Sequence, residues 1–583
     1  MKKTLLFLFG ALMSLTALAR DFEYTYEGQT LTYTVLDEDA RTCTTKDGYY
    51  PNPGNTVTGD LVIPAVVSDG TNNYSVTAIG HTAFFGCKEL TSVILPDGVT
   101  TIEVQAFYGC AGMASITLPE TLTEIGVYAF GLCENLRSIE IPQSVTTIGN
   151  AAFYYCTSLL GSVSLPESLS SIADFTFEGC SHLSSVTIPD NVNSIGKQAF
   201  RECRSLSSVI IPDNVSSIER MAFDGCKNMR SITLPSSLTN IADYAFSGCQ
   251  SLKSVEIPHT VKNIGASAFY YCKGLTSVTI PNAVTTIGEQ AFRYCTALRD
   301  LTLGGAIQSI GAYAFENCVK LRTVVIPSSV TEIGEAAFRG CDDLWCILIG
   351  SGLKSLGAYA FEGCVAGSYY ITAEFPPAAY DNSFSDNSYS KAYLFVNNYS
   401  VRDDYRNAES CWSKFSNYGV LDPATGLDRG ESSPLIFMPG KTQQLYAKVV
   451  PANATLPFVF WHSTNPDVAT VDANGLVTFH EPKETGEIED ENPAAVRAVN
   501  DSAPCKIIAS TLYPDCPVLE FTIQQTEVDD IVNDATKGGD IDFSKPVEVY
   551  NLSGSFVAGS TGNLVPGIYI VRQGNAVRKI AVR

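Results

Sequence analysis

Among side chains able to do covalent or metal chemistry, only the cysteines of this sequence are set out with order. Thirteen of the 18 lie on a ruler. Cys87, Cys110, Cys133 and Cys156 are 23 residues apart, one 24-residue step containing the extra Gly161 leads to Cys180, and the 23-residue step then runs through Cys203, Cys226, Cys249, Cys272, Cys295, Cys318 and Cys341 to Cys364. Such a column could oxidise, bind metal or fill space. Thirteen is odd, so pairing within the column cannot be complete, and no C-x₂-C pair or Cys/His cluster offers the convergent ligands zinc needs. The favoured reading is one small buried hydrophobe per slot, with a disulfide ladder as the alternative in an oxidising compartment. Cys505 and Cys516 differ: they flank Tyr513-Pro514-Asp515 in an expected hairpin and are a candidate disulfide.

Other chemistry finds little support. The five histidines, His81, His182, His259, His462 and His480, have no motif spacing to a nucleophilic serine, a ligand set or a paired carboxylate. There is no Gly-rich phosphate loop and no H-E-x-x-H. The chain is therefore expected not to be an enzyme, with no cofactor and no metal.

Surface columns are what the period offers instead. One column reads Arg137, Arg230, Lys253, Thr276, Arg299, Arg322 and Trp345, and beside it serines recur from Ser92 to Ser277. An outward strand column carries Glu140, Thr187, Glu256, Thr279, Thr302 and Val325. Tyr154, Tyr155, Tyr270, Tyr271 and Tyr294 add aromatics towards the expected helical side. Arg137, Arg230, Lys253, Arg299, Arg322, Trp345, Tyr270, Tyr271 and Tyr294 are the candidate binding residues. On an acidic protein they suit anionic glycans or acidic protein patches. The competing reading is an ordinary solvated sheet face.

The elements that position these columns follow from the same ruler. A phenylalanine precedes every column cysteine by three residues, from Phe84 to Phe361. In Leu275-Thr276-Ser277-Val278-Thr279-Ile280-Pro281 the apolar residues fit a short strand, and proline, lacking an amide, ends it. The three-residue spacing of Phe292, Cys295 and Leu298 predicts a helical or 3₁₀ turn. One unit cannot bury enough apolar surface to order itself, so units must stack. Thirteen parallel strands at about 4.8 Å give a sheet about 60 Å long.

These units resemble the BspA-type bacterial leucine-rich-repeat proteins, whose repeat reads roughly L-x-S-V-x-I-P-x-x-V-T-x-I-G-x-x-A-F-x-x-C. The likeness covers about residues 60–400. It implies an α/β-type leucine-rich-repeat solenoid that binds host proteins, glycans or other cells. Gly304 and Gly350 depart from the strand-ending proline, and Glu103 and Glu219 from the glycine after isoleucine. Leu61–Pro64 with Tyr74–Gly80 resembles an extended first repeat, and Ala392–Val396, Tyr405 and Trp412–Phe415 a closing cap. Further on, Asn474-Gly475 predicts a hairpin turn between Thr470-Val471 and Leu476-Val477-Thr478. The stretch Trp461–Thr478 resembles the group 2 bacterial immunoglobulin-like domain, interrupted by an acidic loop near Glu487–Glu491. The end of the chain (Val547–Gly554, Gly567–Arg572, Lys579–Val582) resembles a type IX secretion sorting tail.

Lys2 and Lys3, the apolar run Leu5–Leu18 and Ala17-Leu18-Ala19 form a cleavable leader. The expected organisation is a signal peptide at 1–19, a β cap and first repeat at 20–79, and the solenoid with its C-terminal cap at 80–419. A linker at 420–435, an all-β immunoglobulin-like sandwich at 436–527, a linker at 528–540 and a β tail at 541–583 follow. Net charge is −23, with 5 basic against 9 acidic residues in 1–79, 17 against 25 in 80–365 and 16 against 27 in 366–583. A chain acidic throughout repels polyphosphate, which disfavours nucleic acid. The mature chain is expected to lack a transmembrane segment and to lie on the cell surface or be secreted beyond the outer membrane, with the periplasm as the alternative. Its expected partner is an extracellular protein or glycan. A structural envelope spacer and a non-catalytic glycan-presenting accessory protein are the other readings.

Overall fold

Each repeat's strand pairs with its own equivalent one period later. In the computed structural model, Ser277–Thr279 runs parallel to Asp300–Thr302 with Val278 opposite Leu301. Thr323–Ile326, Cys346–Ile349, Ser368–Ile371, Tyr393–Val396 and Asn417–Val420 continue that side as a five-stranded parallel sheet. The structure describes residues 20–48, 57–421 and shorter stretches between 426 and 582. The leader, the acidic run 487–491 and Cys516 lie outside the described residues. The chain divides into two units, Met1–Val420 and Leu421–Arg583.

In the first unit every coil has three sides. After the main strand, a turn such as Val284 N–H to Pro281 O (3.1 Å) reverses the chain. A two-residue strand follows, and these form a second parallel ladder through Asn240–Ile241, Asn263–Ile264, Thr286–Ile287, Ser309–Ile310 and Glu332–Ile333.

The third side corrects an expectation. The Ala-Phe-x-x-Cys segment is not helical. Amides at the residue two before phenylalanine, at phenylalanine itself and at the residue two after it donate to carbonyls of the next coil. Gln290, Phe292 and Tyr294 thus bond Ala312, Ala314 and Glu316 at 2.9, 2.8 and 2.9 Å. The alternate amides close turns within the coil, as in Cys295 N–H to Phe292 O at 3.2 Å. The three-residue spacing therefore reports stacked turns. Helix formation is blocked by left-handed residues on both sides of phenylalanine, for example Gln290 at φ 58° and Tyr294 at φ 62°. Helices are confined, among the described residues, to the closing segment: Asp386–Lys391, Tyr399–Arg406 and the 3₁₀ turn Cys411–Lys414.

The core is one column of aromatic rings. Phe84 to Phe361 and then Phe384 stack face to face with centroids 5.1 to 5.6 Å apart and ring planes within 17° of parallel. Leucine, valine and isoleucine from the two ladders complete it. At the start, the antiparallel strands Asp21–Tyr26, Gln29–Asp37 and Thr42–Thr45 cover the open end, and the last of them pairs in parallel with Asn73–Ile79. At the other end Trp412 is fully buried, its indole N–H donating to Pro377 O at 2.7 Å.

The second unit is antiparallel. Phe460–Ser463, Lys506–Ser510 and Leu519–Thr522 form one sheet, and Thr442–Gln444, Leu476–Phe479 and Ala469–Val471 another. Trp461, Ile507 and Phe521 share a hydrophobic cluster with Val477 and Phe479. Thr470-Val471 and Val477-Thr478 pair as Asn474-Gly475 predicts, with Val471 opposite Val477 and Thr470 opposite Thr478. The end of the chain forms a four-stranded sheet in the order Phe556–Ala558, Glu548–Asn551, Gly567–Gln573, Ala576–Val582.

Candidate binding surface

On the main-strand side the coil buries Leu275, Val278 and Ile280 and exposes Thr276, Ser277 and Thr279. Repetition at about 4.8 Å turns these exposed positions into columns running along the stack. Arg230, Lys253, Thr276, Arg299, Arg322 and Trp345 occupy consecutive rungs: Lys253 N–H bonds Arg230 O at 3.3 Å, Thr276 bonds Lys253 at 3.0 Å, Arg299 bonds Thr276 at 2.8 Å and Trp345 bonds Arg322 at 3.0 Å. All six are exposed, Trp345 by 50%. Arg137 is also exposed but lies four coils earlier.

Arg230, Lys253, Arg299 and Arg322 make no ion pair among the described residues. Three turn-side arginines do, with partners one period away. Arg201 bonds Asp224 at 3.1 Å and Glu178 at 2.8 Å, Arg339 bonds Glu362 at 2.8 Å, and Arg293 pairs with Glu316. The neighbours one period from Arg299 are Thr276 and Arg322, and those of Arg230 are Ser207 and Lys253. Arg201, Arg293 and Arg339 each have an acidic residue 23 positions away, which the four strand cations lack, and sequence reasoning missed that difference. Glu256 and Asp300 share the strand face without pairing to any of the four cations.

Tyr270, Tyr271 and Tyr294 lie on the turn side, half-buried, with centroids 5.8 to 5.9 Å apart. Their cations are local: Lys273 sits 4.2 Å over Tyr271, and Arg293 sits 4.9 Å over Tyr294. These tyrosines therefore form a cluster separate from the strand cations. Close by, Tyr313 donates its hydroxyl to Glu335 at 2.7 Å, which pushes its pKa up.

The thiols are not placed for catalysis. From Cys110 to Cys364 each Sγ–H donates to the phenylalanine carbonyl of the preceding repeat at 3.1 to 3.4 Å. Burial pushes Cys156 up to about 12 and its neighbours in the same direction, so no nucleophilic thiolate is available there. All seventeen described cysteines are free and buried. Cys505 is among them, with the Ser463 hydroxyl 3.6 Å from its sulfur. Its expected partner Cys516 lies outside the described residues. Among the described residues no group of three His, Cys, Asp or Glu side chains is placed to hold a metal ion, and no helix is long and apolar enough to cross a membrane.

The repeat matches a known family description, the BspA type leucine rich repeat region, over residues 70–172, 157–276 and 262–391, more than half of the chain. The chain belongs to this family. Its BspA-type coils are followed by a match to the bacterial Ig-like domain (group 2) at residues 432–485. Solved structures similar to the BspA-type chain include a leucine-rich repeat protein from Bacteroides ovatus, 28% identical, spanning 60% of this chain and 94% of that one with a TM-score of 0.47. A leucine rich cell surface protein from Faecalibacterium prausnitzii is 32% identical over 56% and 94% of the two chains, with a TM-score of 0.41. No curated protein matches the chain.

Proposed function

We propose that this protein is an exported binding protein whose leucine-rich-repeat strand face attaches it to an acidic extracellular partner. One observation carries the reading: four cations within five rungs lack acidic partners on a chain of net charge −23. Like charges at about 4.8 Å repel, and a ligand supplying the missing counter-charges relieves that repulsion. A rigid, extended, exposed face suits a large partner rather than a small substrate. The leader at 1–19 supports export, the immunoglobulin-like segment at 436–527 reads as a sandwich acting as spacer or second adhesion module, and the tail at 541–583 reads as a sorting signal of the type IX kind. Cell-surface display follows from these together.

The test presents the full-length protein to arrays of extracellular matrix proteins and of acidic and neutral glycans. Replacing Arg299, Arg322 and Trp345 by alanine together is expected to abolish binding to the ligand found, and undiminished affinity rejects the face. No ligand at all favours a purely structural envelope spacer.

A further inference from the structure

We infer that the strand-face stripe takes an anionic polysaccharide, carboxylated on its sugars, lying along the stack from Arg230 to Trp345. The inference rests on the reading of this face as a binding surface and names the chemistry of its ligand.

The first argument is the state of the hydroxyls. On the neighbouring short-strand side, Thr100, Thr123, Thr146, Thr285 and Thr331 donate their hydroxyls to carbonyls of the preceding coil at 3.0 to 3.3 Å, and within the stripe Thr276 does the same, to Lys253 O at 3.2 Å. On the strand face Ser231, Ser254, Ser277, Thr279 and Thr302 are exposed and, among the described residues, make no side-chain hydrogen bond within the protein. Each offers one donor and two acceptor sites. A sugar hydroxyl has the same dual character, so a carpet of such groups between cations complements a polyhydroxylated anion.

The second argument is what the stripe lacks. Affinity in protein–protein interfaces concentrates in a few central, desolvated side chains, above all tryptophan, tyrosine and arginine packed in pockets. Ile210, 76% exposed, sits one rung before the stripe and Trp345 at its far end. Between them the outward column is Thr233, Glu256, Thr279, Thr302 and the half-buried Val325. An acidic polypeptide finds exposed arginines there, but no aromatic side chain in the outward column and, among the described residues, no pocket formed around them. A pyranose chain needs none, and the Trp345 ring can stack on a sugar face.

The third argument is charge density. Glu256 and Asp300 stand on the same face, leaving four cations against two carboxylates between Arg230 and Val325. A densely charged polyphosphate meets those carboxylates at close range. A carboxylated polysaccharide dilutes its charge among hydroxyls, and guanidinium groups grip carboxylates in bidentate geometry.

The test measures binding of the full-length protein to polygalacturonate, hyaluronan, neutral dextran and poly-L-glutamate at fixed ionic strength. The expected result is that one or both uronate polymers bind and dextran does not. Arg299→Ser with Arg322→Ser should weaken uronate binding by about tenfold or more, as expected for two lost charge-assisted contacts. Ser254→Ala with Ser277→Ala and Thr279→Val should weaken uronate binding while leaving any poly-L-glutamate binding unchanged. Asp300→Asn should tighten it. All these positions are exposed, and an unchanged melting temperature verifies folding. Poly-L-glutamate binding as tightly as the uronates, with no response to hydroxyl removal, overturns the polysaccharide inference and leaves the acidic-partner reading standing. Equal binding of dextran, or no binding of either uronate, overturns the polysaccharide inference too. Arginine variants that change no interaction overturn both readings.

Discussion

At the level of single residues, the left-handed backbone positions decide how the coil closes. Glycine holds the position two after phenylalanine in seven of the thirteen coils, Gly86, Gly109, Gly179, Gly225, Gly248, Gly340 and Gly363, all at positive φ. Leu132, Tyr155, Glu202, Tyr271, Tyr294 and Asn317 hold the others at φ 52° to 62°. The conformation costs an ordinary residue about 1–2 kcal/mol, and asparagine tolerates it best. Gly340, at φ +67°, gives the test. Gly340→Val should destabilise by about 1–2 kcal/mol and Gly340→Asn by much less in denaturant melts; equal losses would mean that space around Gly340, not backbone conformation, sets the penalty. Six of these thirteen positions are not glycine, so the sequence concealed the feature. Tyr271 and Tyr294 stand in that hidden column, and nothing in their residue type signals a left-handed backbone. The strand cations, by contrast, were readable from the ruler alone, because side chains at a fixed phase share a face.

Among elements, the stacked rings set the coupling between coils. Each inner phenylalanine meets a ring above and a ring below, whereas Phe84 meets only Phe107 in the column. Phe269→Ala removes both contacts and opens a cavity, a loss of about 3–5 kcal/mol. Phe84→Ala should cost less, and the difference is measurable by chemical denaturation; equal losses would show that stacking adds nothing to burial. The parallel ladders were legible because leucine, valine and isoleucine recur with proline after them. The turn side was not, since i to i+3 bonds occur in 3₁₀ segments and in stacked turns alike. Only the direction of the intervening amides, outward to the next coil, separates the two.

For the molecule as a whole, alkaline pH is the condition the thiol column responds to. Burial raises these thiols above the ordinary value of 9.0 from Cys133 onward, with Cys156 pushed up to about 12. A raised folded pKa means the native state holds its proton where the unfolded chain has lost it. The linked stability is therefore fully present below pH 9 and erodes as pH climbs through 9 towards 12. Each such thiol contributes about 1.4 kcal/mol per pH unit in that window. The melting temperature should fall steeply above pH 9, and native protein at pH 8 should leave a thiol reagent almost unreacted until denaturant exposes the column. A near-zero count after denaturation would show disulfides in place of free thiols. The turn-side bonds carry another consequence. They all run one way, each coil's amides donating to the coil that follows, from Thr82 bonding Val104 to Gly340 bonding Glu362. On the two ladder sides amides such as those of Arg299, Gln308 and Gly311 donate the other way, to Thr276, Thr285 and Ile287 of the preceding coil, so the peptide dipoles of the three sides oppose one another along the stack. The carbonyl of His81 at one end accepts from Gly48, and the amides of Tyr359 and Phe361 at the other donate to Asn382 and Ser383. The two caps thus give partners to the end carbonyls and amides of the turn side as well as hiding the apolar interior.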